Sequence, residues 1–175
     1  LRACASPRSK ATSSSASPPS RSVTAVQRLA LLVATAGGVG YAPVAPGTVA
    51  SAVTVSALWL AAPSRPALVA FVLAVAAVGT WAGQEAERLL GRKDPGLIVI
   101  DEVAGMALAA LALPPTAAAL LVAFVCFRVF DVVKPYPANA LQRLHGGVGV
   151  MADDLVAGFY AAAVVLTIHA LTGWP

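Results

Sequence analysis

Residues 101–134 read DEVAGMALAALALPPTAAALLVAFVCFRVFDVVK, and the way this stretch is cut decides the fold. It opens on Asp101-Glu102, runs apolar to Pro114-Pro115, runs apolar again and closes on Asp131 and Lys134. A proline inside a helix lacks the N–H of the ladder and clashes with the preceding turn, so a double proline does not fit a straight helix. Two readings follow: a hairpin of helices over 103–113 and 116–130, or one kinked crossing. The first arm of the hairpin would rise only about 16 Å, roughly half the thickness of a bilayer's hydrocarbon. It would therefore be re-entrant or packed within the protein. The hairpin returns Asp131 to the side on which Asp101 and Glu102 enter; the kinked crossing separates them.

The rest of the chain favours a lipid setting. It is 58% hydrophobic and 11% charged, and its mean hydropathy is +0.79. Soluble domains carry about a quarter charged residues, so this is the composition of a membrane protein. The expected fold class is all-α, a multi-helix integral membrane bundle with a Pro-split helical hairpin. Residues 29–36 are a short apolar run entering Gly37-Gly38-Val39-Gly40, and the glycines and prolines through Gly47 predict an ordered loop. Apolar helices follow over 48–62, over 67–84 with Pro66 in the first turn, and over 155–171. Glu85, Glu87 and Arg88 lead out of the 67–84 helix into a polar loop that includes residues 91–96.

Residues 1–28 form a different unit, with five of the twelve basic residues, no acid and abundant Ser and Pro. Such a segment cannot build an apolar core, and it reads as a disordered tail or as an organelle transit segment. The membrane domain is then residues 29–175. No nucleic-acid partner is expected, because the basic tail carries no interleaved aromatics and no base-reading element. Cys4 lies in the tail and Cys126 in an apolar helix, so neither a disulfide nor a thiolate metal site follows.

The acids carry the chemistry. Only eight occur, the first at Glu85, and five fall into three groups: Asp101-Glu102, Asp131 and Asp153-Asp154. Each group borders an apolar run. On the hairpin reading all three face one aqueous surface, which the loop over 37–47 also reaches. Hard cations such as Mg²⁺ take oxygen ligands and share a few carboxylates with substrate phosphate and water. Asp101, Glu102, Asp131, Asp153 and Asp154 are thus candidate metal ligands. Each acid pair has a competing explanation as a first-turn residue of a helix beginning there. Asp131 has none, since it stands near a helix C-terminus, although Lys134 at i+3 could pair with it.

Lys134 and Arg128 are the candidate phosphate-binding cations; Arg128 could equally mark the membrane interface. Gly146, Gly147 and Gly149 read as a loop able to offer backbone N–H groups to an anion. His145 is a candidate base or phosphate contact, or a packing residue of its loop, and His169 reads as structural. The basic residues of these loops favour the cytosolic, stromal or matrix side. A divalent-cation transporter is the competing class, but its acids would be expected near helix centres rather than helix ends.

Four motifs in order now carry a resemblance. The first is Ala34-Thr35 with Gly38, Gly40, Pro43, Ala45-Pro46-Gly47-Thr48 and Ser51. The second is Asp101-Glu102-Val103-Ala104-Gly105-Met106. The third runs Phe127-Arg128-Val129-Phe130-Asp131-Val132-Val133-Lys134-Pro135-Tyr136-Pro137. The fourth runs from Gly146-Gly147-Val148-Gly149 through Val150-Met151-Ala152-Asp153-Asp154 to Ala157-Gly158. Together they resemble the phosphatidylglycerophosphatases of the A type, over roughly 32–171. Ala50 stands where that family often has Gly, and Tyr136 where Trp is common.

The resemblance implies Mg²⁺-dependent hydrolysis of phosphatidylglycerophosphate to phosphatidylglycerol and inorganic phosphate, a step of phospholipid biosynthesis. Its partners would be that substrate and the membrane lipid around it. Asp131, Lys134, Asp153, Asp154 and Glu102 would be the catalytic residues. A phosphatase for another lipid or for a soluble phosphomonoester is the nearest alternative.

Overall fold

The computed structural model describes residues 23–112, 114–141, 144 and 146–174. These residues contain seven α-helices and no strand: α1 Ala25–Ala34, α2 Pro46–Ala61, α3 Arg65–Leu90, α4 Ile100–Ala109, α5 Ala117–Val133, α6 Ala138–Leu141 and α7 Gly147–Thr172. A single 3-10 turn, Val39–Tyr41, lies between α1 and α2. The all-helical expectation holds.

Local chemistry sets the helix ends. Thr24 and Gln27 form a reciprocal capping box, so α1 starts inside the segment assigned to the tail; residues 1–22 lie outside the described residues. Pro46 and Pro66 sit in the first turns of α2 and α3, where no helical N–H is required of them. Thr116 caps α5 by accepting a hydrogen bond from the Ala119 N–H at 3.2 Å. Gly91 ends α3 in the left-handed conformation, past Glu85, Glu87 and Arg88, which are helical rather than part of the exit loop.

The stretch around Pro114-Pro115 resolves as the hairpin. Met106, Ala109 and Ala112 share one core with Ala119, Ala123 and Phe127, the pairing expected of antiparallel arms. The first arm, α4, has ten residues and rises about 15 Å. It is enclosed by its neighbours: α7, α3 and α2 all pack on it. The α4–α7 crossing is close because it is made by glycines. A Cβ on Gly158 would lie 2.3 Å from the Gly105 carbonyl oxygen, and one on Gly105 would lie 2.5 Å from the Asp154 carbonyl oxygen. Phe127 fills the space beside Gly105 and is fully buried.

Helices α3 and α7 have 26 residues each and are long and apolar enough to cross a membrane. At about 39 Å they exceed the ~30 Å hydrocarbon layer. The outer faces of the bundle are apolar as well: Leu60, Leu73, Val132, Phe159 and Leu171 are all more than half exposed. Exposed large apolar residues in this number suit lipid rather than water.

Candidate active site

Four helix ends meet at one end of the bundle. Helix α4 begins there with Asp101 and Glu102 in its first turn. Helix α5 ends there at Val133, with Lys134 as its left-handed cap. Helix α2 begins there: a Cβ on Gly47 would lie only 2.0 Å from Glu102 Oε1, so any larger residue here would turn that carboxylate aside. The fourth contributor is α7, and here the sequence-based reading is corrected. Asp153 and Asp154 do not open the last helix; α7 starts at Gly147, so both acids lie in its second turn and beyond. Their place is therefore not explained by a helix-start dipole, which reaches only the first turn.

The structure brings all five carboxylates into one neighbourhood. Asp101, Glu102 and Asp154 offer oxygens within 4.8 Å of one another. The charges of Asp101 and Glu102 bear on each other, as do those of Asp154 and Asp131. Asp153 pairs with Lys134, while Asp131 pairs with Arg128 at 2.8 Å and stands 3.9 Å from Lys134. The expected Asp131–Lys134 pair is thus secondary: each partner has a closer one. Arg128 is half-buried and tied to a carboxylate.

The electrostatics are unfavourable as they stand. Asp101, Asp153 and Asp154 are buried. Among the described residues, Asp101 Oδ1, Glu102 Oε2, Asp153 Oδ1 and Asp154 Oδ2 have no hydrogen-bond partner. The ion pair of Arg128 leaves its Nη1 without a well-directed hydrogen bond. Burial raises the Asp101 carboxyl well above its ordinary range, reinforced by the charges of Glu102 and Asp154. Glu102 is raised too, first by burial. Lys134 loses hydration, but its contact with Asp153 outweighs that loss and keeps the ammonium protonated. Crowded, buried and partnerless carboxylate oxygens are what a hard cation satisfies, so the donor set fits a metal ion.

The glycine-rich stretch is also corrected. Gly146 is the N-cap of α7, and Gly147 and Gly149 are its first turn rather than a loop. Gly147 presses on α3, where a Cβ would lie 1.8 Å from the Thr80 carbonyl oxygen; Gly149 presses on the Leu144 carbonyl. His145 lies outside the described residues. His169 is near the far end of α7, its Nδ1 2.6 Å from the Trp174 carbonyl oxygen, in keeping with a structural role. The Gly47 contact is the feature that residue-type reasoning did not find; the signal was its position directly after Pro46 at a helix start.

Buried acids flanked by two cations at a helix-bundle end can hold a metal ion and a phosphate side by side. The chain belongs to the phosphatidylglycerophosphatase A family, whose model matches residues 32–169. It is 34% identical over 155 residues to a putative phosphatidylinositol-3-phosphatase of Bacteroides thetaiotaomicron, covering 83% of this chain and 96% of that one. It is 34% identical over 140 residues to phosphatidylglycerophosphatase A of Escherichia coli K12, covering 78% and 81%. It is 36% identical over 94 residues to phosphatidylglycerophosphatase A of Haemophilus influenzae, covering 53% and 58%. No solved structure matches the chain.

Proposed function

We propose that the protein hydrolyses the terminal phosphomonoester of phosphatidylglycerophosphate, releasing phosphatidylglycerol and inorganic phosphate, with Mg²⁺ as its cofactor. The observation that carries this is the placing of Lys134 and Arg128 directly beside a carboxylate cluster, four of whose buried oxygens have no hydrogen-bond partner among the described residues. Cations alone would hold phosphate, and acids alone would hold a metal; hydrolysis needs both at one point. Asp101, Glu102 and Asp154 would hold the ion, with Asp131 and Asp153 bordering it. When bound, Mg²⁺ supplies charge neutralisation for the phosphate and a water of lowered pKa.

The chain's own groups do the rest. Asp131, held by Arg128, is poised to orient the attacking water and take its proton. Lys134, shared between Asp153 and Asp131, stabilises the phosphoryl oxygens as charge develops on them. The bundle sits in the membrane with this end towards the cytosol, or towards the matrix or stroma if residues 1–28 direct the chain to an organelle. Arg92 and Lys93, between α3 and the start of α4, and Arg128 and Lys134, paired with the site acids, lie towards this end, the bias of a positive-inside arrangement.

The test is phosphate release from phosphatidylglycerophosphate by the detergent-solubilised protein, with and without Mg²⁺, beside an Asp131→Asn control. Activity in the parent and a loss of about a thousandfold or more in the variant is expected; normal turnover by a folded variant would overturn the role of Asp131. A second substrate is favoured by one finding, the name of the Bacteroides relative. Phosphatidylinositol 3-phosphate is therefore assayed in parallel, and the ratio of the two rates decides between the lipids.

A further inference from the structure

We infer that the crevice between α2 and α5 is the seat of an acyl chain of the substrate, so that the enzyme holds its lipid by the tail as well as by the phosphate. This rests on the reading of the site as a lipid phosphatase. The crevice is made of two adjoining cavities of about 340 and 490 Å³ that share Phe124. The first lies between α2 at Ala52 and Trp59 and α5 at Leu121; the second continues along α5 to Arg128 and beyond, with Thr48 on the α2 side. The wall is apolar along most of this path, and its large residues Leu121, Val129 and Val132 are more than half exposed.

Its polar end identifies the occupant. Arg128 belongs both to the crevice and to the ion pair with Asp131. Thr48 adjoins Gly47, which touches Glu102. A ligand lying here thus has one end at the carboxylate cluster and the remainder against hydrocarbon. From residue 117 to residue 133 the α5 wall rises about 24 Å, more than the ~15 Å of one leaflet. A soluble phosphomonoester would leave this surface unused. A second copy of the chain would cover Arg128 and obstruct the site. One acyl chain of a lipid with a phosphate head matches both the shape and the polarity.

Two measurements test this. The first uses the full chain in phosphatidylcholine vesicles with a trace of a phosphonate analogue of phosphatidylglycerophosphate bearing a diazirine in mid-chain. Cross-linked peptides from residues 52–59 and 117–124 should be enriched about tenfold over those from phosphatidylcholine carrying the same diazirine chain. Equal labelling by the two lipids, or labelling spread over the outer faces of α3 and α7, would overturn the inference.

The second uses Leu121→Trp and, separately, Ser56→Leu, which narrow the crevice far from the charged residues. Each should lower kcat/KM for the diacyl substrate about tenfold and leave release from its deacylated head group within about twofold. Equal loss on both substrates, or no loss on either, would overturn it. If the parent releases phosphate from neither substrate, the phosphatase reading fails, and the cross-linking ratio alone still decides the crevice.

Discussion

Lys134 stands between two carboxylates and compensates the more buried of them, Asp153. Replacing it by Met would leave that carboxylate buried and uncompensated. Lys134→Met is expected to destabilise the protein by about 3 kcal/mol, read from denaturation in detergent, as well as to abolish turnover. A loss of activity with unchanged stability would mean that Asp153 finds its compensation elsewhere. Asp101 and Glu102 give a prediction about pH. Their ordinary values are 3.8 and 4.5, and burial raises both in the fold. A raised acid favours the folded state in its protonated form. The contribution is complete below the ordinary values and is lost as pH climbs through the raised ones. The metal-free protein should therefore melt at progressively lower temperature as pH rises from about 4. Added Mg²⁺ should restore the loss, and restore more at higher pH, because binding displaces protons. A melting temperature indifferent to pH in the absence of metal would contradict the burial of this pair.

At the scale of elements, the site depends on how closely helices approach. Gly47→Ala adds one methyl group in a helix, a change that by propensity alone is favourable. Its Cβ would nevertheless fall 2.0 Å from Glu102 Oε1 and 2.8 Å from Cδ. The carboxylate must turn away, so turnover should fall about ten- to a hundredfold while melting in the absence of metal changes little. Wild-type turnover would show that Glu102 has room to shift without consequence. Much of this level was legible in residue types. The double proline forced a choice between two shapes, and the acids at 101, 102 and 131 made sense in only one of them. The start of α7 was not legible, because Gly146 to Gly149 read as a loop when taken alone. Only the Thr80 carbonyl, on a helix far earlier in the chain, shows that these glycines are packed into a crossing. Likewise the Lys134–Asp153 pair spans 19 residues, beyond any i+3 or i+4 rule.

For the molecule as a whole, the helix directions predict which connections share a side. The loop after α3 and the segment after α5 lie at the carboxylate end; the turn between α2 and α3 lies at the other. With Cys4 and Cys126 replaced, Arg92→Cys and Ala140→Cys should react with an impermeant maleimide from one side of sealed vesicles, and Ser64→Cys from the other. Reaction of all three from the same side would rule out the crossing arrangement of α2 and α3.

The exposed apolar flank of α5 has one more consequence. Val129, Val132 and Val133 are open to the surroundings within a turn of Asp131. Substrate can then arrive sideways, by diffusion in the plane of the bilayer, without first leaving it. The quantity that sets the rate is in that case the number of substrate molecules per unit of membrane area. Diluting the substrate with inert phospholipid should slow the enzyme, and diluting the vesicles with buffer should not.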